Sequence, residues 1–226
     1  MSDLDRLRAE YADRARRFSA ESPYNNATND YLAEQRRRSI FATLDREQLH
    51  PLADKQLLEV GCGESGVLSE WLTFGLNPQN IYGIDLLSSR VAIGQHKFPQ
   101  FNLAVADGQT LPFPSCSFDI VLQFTALSSI LDRRIRLQMA SEMQRIVKQG
   151  GIIISYDFWL NPTNPHTIGI TRAELGRLFQ GCTIRTQRIT LAPPLARRIT
   201  PRFKIAATIL ERIRLFNSHF LATIYN

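Results

Sequence analysis

Cysteine is scarce in this sequence of 226 residues, and its cysteines form no recognisable site. Cys62, Cys116 and Cys182 are an odd number, stand far apart and include no C-x-x-C pair. No histidine accompanies them at the spacing of a metal ligand. Disulfide frameworks and structural zinc sites depend on such pairs. The sequence therefore predicts neither, and we expect no metal.

Long apolar runs are also missing. No run reaches the roughly 18 apolar residues that a membrane-spanning helix needs. The N-terminal stretch MSDLDRLRAEYADRARRF is charged and contains no apolar core of a signal peptide. These two absences predict a cytoplasmic protein.

Acidic residues are nearly absent from residues 185–214. This segment holds eight basic residues and one acid, Glu211, whereas the rest of the chain has a net charge of −1. Such a cluster serves phosphates, nucleic acid or a membrane surface, but a solvated helix and strand face has the same composition. The sequence leaves these alternatives open, although too few regularly spaced aromatic side chains are present to suggest stacked bases.

What the sequence does contain, from residue 56 onward, is an alternation of short apolar runs and amphipathic segments. Runs of four to six such residues predict strands buried on both faces of a parallel sheet and joined by right-handed crossovers. This pattern predicts a doubly wound α/β fold. A chain of this length can bury one sizeable core, so we expect a single compact domain.

Helices are predicted on both sides of this alternation. Apolar residues at helical spacing predict two helices over residues 3–20 and 29–48, and Asn29 is the expected N-cap of the second. A later helix, TRAELGRLF, begins with the capping-box residues Thr171 and Glu174. A strand, a basic helix over about residues 202–216 and a last strand, HFLATIY, follow it.

The stretch LLEVGCGESGVL places Gly61, Gly63 and Gly66 directly after the first apolar run. This G-x-G-x-x-G pattern indicates a dinucleotide-binding loop when a strand precedes it, a helix follows it and an acid stands roughly 20 residues further on. Asp85 meets the last condition. The pattern alone therefore does not distinguish a nicotinamide dinucleotide from another adenosine cofactor.

Acidic residues at three predicted strand ends favour an adenosine cofactor without a pyrophosphate. Glu59 precedes the first glycine by two residues, where it would repel a pyrophosphate and attract a cationic group. Asp85 ends the second strand, where a carboxylate accepts hydrogen bonds from a ribose diol. Asp107 follows the third strand and could accept a hydrogen bond from an adenine amino group.

Successive motifs, EVGCG, GID, ADGQTLPFPSCSFDIV and KQGG, resemble those of the class I S-adenosylmethionine-dependent methyltransferases. The resemblance is strong over about residues 57–159. It implies S-adenosylmethionine as the cofactor and a Rossmann-like, mostly parallel seven-stranded sheet. It also implies that residues 1–50 form a lid of two helices and that residues 51–226 form the cofactor-binding domain. The cofactor-binding residues implied by the resemblance are Glu59, Gly61, Cys62, Gly63, Asp85, Leu86, Asp107, Gly108, Gln123 and Tyr24.

One position departs from the family pattern. The family loop commonly reads G-x-G-x-G, but Ser65 stands at the third glycine position and Gly66 follows one place late. A small residue is tolerable at this position, so we expect a changed loop geometry and not the loss of the site.

Methyl transfer from a sulfonium requires alignment and exclusion of water, and a base is needed mainly when the acceptor is an alcohol. The predicted loop after the fifth strand holds two titratable candidates for that base, Asp157 and His166. His166 is the better candidate because an unperturbed histidine has a pKa of about 6.5. The alternative is that His166 only lies in a surface loop or caps the next helix.

The basic segment and the first two helices are the elements expected to select the acceptor. Arg197, Arg198, Arg202 and Lys204 could bind a phosphate or carboxylate, and the helix KIAATILERIRLF could contact a membrane weakly. We therefore expect O-methylation of a small or medium anionic acceptor, such as a glycan or a lipid-linked intermediate, with no nucleic acid as partner. Two alternatives are an NAD(P)-dependent oxidoreductase and a non-catalytic regulatory or nucleic-acid-binding protein.

Overall fold

The structure is a computed structural model that describes residues 5–6, 8–9, 27–161 and 164–225. Its centre is one seven-stranded sheet with the order β3-β2-β1-β4-β5-β7-β6. The strands β1 to β5 pair in parallel, whereas β7 is antiparallel to both β5 and β6. The predicted doubly wound, mostly parallel sheet is therefore confirmed. In chain order, the strands are β1 (Leu57–Val60), β2 (Ile81–Asp85), β3 (Asn102–Val105), β4 (Phe118–Phe124), β5 (Val147–Phe158), β6 (Thr183–Leu191) and β7 (Asn217–Tyr225).

Helices precede the sheet and connect its strands. Those within residues 27–225 are α1 (Ala27–Arg46), α2 (Gly66–Glu70), α3 (Ser88–Lys97), α4 (Ala126–Ser129), α5 (Arg133–Ile146), α6 (Arg172–Leu178), α7 (Pro193–Ile199) and α8 (Lys204–Ile213). Of the first predicted helix, residues 5–6 and 8–9 are helical, and the remainder lies outside the described residues.

The sheet separates two apolar cores because successive side chains of a strand point to opposite faces. Leu58 and Val121 belong to one core, whereas their neighbours Leu57 and Ile120 belong to the other. These four side chains are fully buried. The apolar runs of the sequence are continuous because both faces of these strands are covered.

The ends of α1 and α6 test the predicted helix caps. Thr171 is the N-cap of α6, and its Oγ1 accepts a hydrogen bond from the backbone nitrogen of Glu174 at 3.2 Å, as predicted. The prediction for Asn29 is wrong, because α1 already begins at Ala27. Asn29 therefore lies inside the helix, and its neighbour Thr28 shares a hydrogen bond of 2.8 Å with Thr200.

The connection between β6 and β7 lies at the edge of the sheet where the parallel strands end. Leu191, the last residue of β6, pairs with Asn217, and Phe158, the last residue of β5, pairs with His219. The helices α7 and α8, which join β6 to β7, therefore lie at this edge. α1 packs against β6 and α7. The division of the chain at residue 50 into a lid and a cofactor-binding domain stays a prediction.

Within the described ranges, no helix combines the length and the apolar character that crossing a membrane would require.

Candidate active site

A cavity of about 320 Å³ lies at the carboxyl ends of β1, β2, β3 and β4. The loops that follow these strands form most of its wall. This is the crevice where doubly wound sheets bind their ligands. Seven of the residues predicted to bind the cofactor line it: Glu59, Gly61, Cys62, Asp85, Leu86, Asp107 and Gly108.

The loop after β1 makes a turn that depends on glycine. Gly61 and Gly63 have φ values of +82° and +54°, which L side chains rarely adopt. A Cβ atom at Gly61 would also lie 2.9 Å from the Cβ of Ala126. Ser65 is left-handed as well, with a φ of 65°. Ser65 stands where the family commonly has glycine, and it adopts the left-handed backbone conformation that favours glycine.

Asp85 holds the glycine loop against the end of β2. One carboxylate oxygen, Oδ2, accepts a hydrogen bond of 2.8 Å from the backbone nitrogen of Gly63, and Oδ1 accepts one of 2.9 Å from that of Leu87. A carboxylate has about four acceptor positions, so these two bonds leave capacity for a ribose diol. Asp85 can therefore order the loop and bind a ligand together.

Glu59 is a buried acid with an unsatisfied oxygen. Its side chain is only 2% exposed, and its Oε2 has no hydrogen-bond partner among the described residues. Burial raises its pKa to about 8; the positive charge of Arg36 opposes this shift, and the negative charges of Glu70 and Asp85 add to it. A buried acceptor without a partner is costly unless a ligand supplies the donor. The amino group of a ligand would satisfy this oxygen.

Arg36 places a positive charge in the same wall. It reaches the cavity from α1, forms an ion pair with Glu70, and its guanidinium carbon lies 6.0 Å and 5.8 Å from the ring centres of Phe124 and Tyr156. Its buried Nε has no hydrogen-bond partner among the described residues. A guanidinium with a free donor suits a carboxylate. Glu59 and Arg36 together match the two charged groups of an amino acid.

The opposite part of the wall, after β3, suits an adenine ring. Asp107 accepts a hydrogen bond of 2.9 Å from the backbone nitrogen of Gln109, and Gly108 packs close to Met139. Ile135 and Met139 contribute apolar surface. Three acids belong to three neighbouring strands: Asp107 follows β3, Asp85 is the last residue of β2, and Glu59 lies in β1. They are therefore arranged across the sheet in the order of the strands.

Residues 58–155 match the family model described as "Methyltransferase domain". This part of the chain is therefore a methyltransferase domain, and its motifs support the class I S-adenosylmethionine-dependent type. The resemblance and the cofactor predicted from the motifs are thereby confirmed. The amino-acid, ribose and adenine groups of S-adenosylmethionine fit the charged, hydrogen-bonding and apolar parts of the cavity described above.

Two curated relatives have sequences similar to this methyltransferase domain. The ubiquinone/menaquinone biosynthesis C-methyltransferase UbiE of Campylobacter jejuni is 29% identical over 109 residues, which are 46% of this chain and 45% of that protein. The phthiotriol/phenolphthiotriol dimycocerosates methyltransferase of Mycobacterium tuberculosis is 33% identical over 115 residues, which are 50% of this chain and 40% of that protein. The chain thus matches less than half the length of either relative.

Solved structures share the fold at low sequence identity. A TehB-like methyltransferase from Corynebacterium glutamicum superposes with a TM-score of 0.60 at 15% identity, covering 96% of this chain and 97% of that one. An S-adenosylmethionine-dependent methyltransferase from Mesorhizobium loti gives 0.59 at 17% identity, covering 82% and 96%. At these identities the likeness shows the fold alone.

Two described residues that were predicted to bind the cofactor, Gly63 and Gln123, do not line the cavity of the methyltransferase domain. Gly63 supports it through the bond to Asp85. Gln123 is fully buried behind the wall, where its Oε1 accepts hydrogen bonds of 3.2 Å from the backbone nitrogens of Ala126 and Leu127. It therefore positions the loop after β4 without contact with the cavity. Tyr24 lies outside the described residues.

The two predicted catalytic bases also lie away from the cavity wall. Asp157 is 1% exposed; it accepts a hydrogen bond from Gln123 and one of 3.1 Å from the backbone nitrogen of Ser128. Burial raises the pKa of Asp157 to about 7. A carboxyl enclosed in this way holds α4 in place and does not reach an acceptor. His166 is exposed in the loop before α6, and its backbone nitrogen donates to Asn164.

Sequence reasoning missed Arg36, Phe124, Thr125, Ser129 and Tyr156, which all line the cavity. Phe124 ends the fourth apolar run, so its position at a strand end was a usable signal. Arg36 stands in a helix with many arginines, and nothing in the pattern separates it from its neighbours.

Proposed function

We propose that the protein transfers the methyl group of S-adenosylmethionine to an apolar, lipid-linked acceptor with an acidic hydroxyl group. The observation that carries the methyl-transfer part is that one cavity wall holds both the unsatisfied Glu59 oxygen and the Arg36 guanidinium, beside a glycine loop. Bound S-adenosylmethionine supplies an electrophilic methyl group on its sulfonium.

The residues of the chain would bind and orient the cofactor. Glu59 accepts a hydrogen bond from its amino group and Arg36 pairs with its carboxylate. Asp85 accepts hydrogen bonds from the ribose, and Asp107 accepts one from the adenine amino group. Phe124 and Tyr156 exclude water from the same cavity, and such exclusion strengthens these charged contacts.

The chemistry of the cavity wall supports an acidic acceptor. Among the described residues that form the wall, none is a histidine or a lysine. The Tyr156 hydroxyl shares a hydrogen bond of 2.9 Å with Thr190, and burial raises its pKa to about 12, so it is a poor base at neutral pH. A phenol-type hydroxyl that ionises readily needs less help from a base than an ordinary alcohol.

The apolar part of this proposal draws on the wall and on the relatives. Phe124 and Ile130 present apolar surface away from the part of the wall that suits the adenine. One relative is named for ubiquinone and menaquinone biosynthesis and another for dimycocerosates. The oxygen acceptor, the glycan alternative and the cytoplasmic location stay predictions from the sequence.

Isothermal titration with S-adenosylhomocysteine tests the cofactor site, and a separate titration with NADH tests the oxidoreductase alternative. We expect micromolar binding of the former and none of the latter, because NADH has no amino-acid group to pair with Glu59 and Arg36. Transfer of labelled methyl from S-adenosylmethionine into a lipid extract then tests the acceptor class. A folded protein that binds NADH but not S-adenosylhomocysteine would support the oxidoreductase alternative. Cofactor binding with no transfer to any lipid or glycan extract would support the regulatory one.

A further inference from the structure

The helix α8 exposes a row of isoleucines on the side turned away from the protein. Ile205, Ile209 and Ile213 are 80%, 55% and 58% exposed. They are spaced four residues apart, which places them one above the other on a single face of the helix. This row is therefore a continuous apolar surface.

The inner face of α8 is apolar as well. Ala207 is fully buried in a cluster with Tyr31 and Leu191, and Leu210 packs against this cluster. A surface helix of a globular protein normally presents polar residues on its outer face. The packing of the described residues accounts for the inner face of α8 and gives no reason for the outer one.

The residues on both sides of α8 extend this surface and surround it with positive charge. Phe203 and Leu215 are each 64% exposed, and Phe216 is 45% exposed. The basic residues Arg202, Lys204, Arg212 and Arg214 are exposed around them. The only acid between residues 197 and 216 is Glu211, which is partly buried.

We propose that this lipid-docking surface, formed by residues 202–216, binds the surface of an anionic lipid bilayer. A bilayer interface matches both of its components: aliphatic and aromatic side chains enter the acyl boundary, and basic side chains meet the lipid phosphates. A second copy of the chain matches less well. A symmetric contact through the isoleucine row would place the basic residues of both copies close together, and like charges repel.

The position of the lipid-docking surface relates it to the cavity. α8 lies at the edge of the sheet where β5 ends and β7 begins, and the cavity occupies the same edge. α1 connects the two, because its Tyr31 packs in one cluster with Ala207 of α8 and its Arg36 lines the cavity. Docking would bring an acceptor dissolved in the membrane close to the methyl-transfer site, although docking itself does not depend on the proposed function.

Vesicle flotation of the full chain tests the proposal with two compositions, pure phosphatidylcholine and a mixture with about one third phosphatidylglycerol. We expect the wild type to float with the anionic vesicles. Replacing Ile205→Ser together with Ile209→Ser should weaken this binding about tenfold or more, because two aliphatic side chains no longer enter the membrane. The matched control, Ile93→Ser with Val105→Ser, replaces aliphatic side chains that are 41% and 54% exposed elsewhere, and should bind as the wild type does.

A charge variant tests the basic component separately. Lys204→Gln with Arg212→Gln should weaken binding to anionic vesicles about fivefold or more and leave binding to phosphatidylcholine unchanged. The proposal is overturned if the wild type does not float, or if the α8 serine variant floats as well as the Ile93→Ser, Val105→Ser control.

Two other outcomes would assign the surface to another partner. If the wild type forms a dimer that Ile205→Ser with Ile209→Ser abolishes, and does not bind vesicles, the surface binds a second copy of the chain. Salt-sensitive RNA binding without vesicle binding would assign it to nucleic acid.

Titration of the same proteins with S-adenosylhomocysteine keeps the two proposals apart. Flotation without cofactor binding would support the lipid-docking surface and contradict the proposed function. Cofactor binding without flotation would support the cofactor site of the proposed function and contradict the lipid-docking surface.

Discussion

At the scale of single residues, Glu59 has the most distinctive environment in the site. Replacing Glu59→Gln should raise the dissociation constant of S-adenosylhomocysteine about tenfold or more, since a hydrogen bond to a charged group contributes about 1.5–3 kcal/mol. Binding of adenosine, which has no amino-acid part, should not change. Titration calorimetry measures both. The control is Glu64→Gln in the same loop, where the side chain is 42% exposed and pairs with Lys97. An equal effect of both variants would contradict the role of Glu59.

Arg36 makes a separate prediction for the carboxylate of the ligand. Arg36→Met keeps much of the apolar contact with Phe124 and Tyr156 but removes the charge. We expect affinity for S-adenosylhomocysteine to fall about tenfold or more, and affinity for adenosine to stay within about twofold. Arg38→Met, in the same helix and 56% exposed, is the control. If Arg36→Met weakens the binding of adenosine as much as the binding of S-adenosylhomocysteine, then Arg36 supports the cavity wall and does not bind the carboxylate.

At the scale of elements, α6 depends on its cap. Thr171→Ala removes the acceptor for the backbone nitrogen of Glu174 and should lower the free energy of unfolding by about 1 kcal/mol. Thr171→Ser retains that acceptor and should cost much less. Urea denaturation measures the difference between the two variants. Because α6 contributes nothing to the cavity wall, affinity for S-adenosylhomocysteine should be the same in both. If both variants lose the same stability, the loss comes from the methyl group of Thr171 and not from the hydroxyl that caps α6.

The loop from β4 to α5 shows how buried polar groups build the wall of the cavity. Gln123 and Asp157 bind the backbone of Ala126, Leu127 and Ser128 from behind. Arg136 donates hydrogen bonds of 2.7 Å and 2.9 Å to the carbonyls of Ile130 and Leu131. These contacts hold a segment whose other side faces the cavity. The polar residues of this loop therefore contribute to the site through its shape.

At the scale of the whole molecule, the buried acid makes stability depend on pH. Burial raises the pKa of Glu59 to about 8 from its ordinary value of 4.5, so near neutral pH the folded protein keeps a proton that the unfolded chain has lost. The free energy of unfolding should therefore decrease as the pH rises towards 8. Asp157, with a pKa raised to about 7, acts in the same direction. His219, with a pKa lowered by burial to about 3 from 6.5, acts in the opposite direction and mainly below pH 6.5.

The interval from pH 6.5 to 8 therefore isolates the carboxyl groups, and Glu59 contributes most there. Urea denaturation of the ligand-free protein should show a loss of about 1–2 kcal/mol across this interval. In Glu59→Gln the loss should be much smaller, because glutamine does not titrate. Asp157→Asn should reduce only the part below about pH 7. If the free energy of unfolding of the wild type is constant or increases with pH over this interval, Glu59 does not keep its proton in the folded protein.

Sequence patterns predicted the sheet well because its signals are local. A strand buried on both faces needs a continuous apolar run, and a glycine loop needs residues that accept positive φ. Acidic residues at the ends of parallel strands lie at one edge of the sheet, so Glu59, Asp85 and Asp107 were expected near one another. The direction of a side chain at a strand end is less local. Asp157 and Gln123 were placed correctly along the chain, but their side chains turn behind the wall.

The sequence by itself determined the strands, the glycine turn and the acids of the cavity, since each depends on neighbours within a few residues. Only the tertiary structure decided that Arg36 faces the cavity, because α1 reaches it by packing against β6 and α7, which follow more than 130 residues later. It also decided which apolar face of α8 is buried. Both faces are apolar in sequence, and only contact with Tyr31 and Leu191 distinguishes the covered face from the exposed isoleucine row.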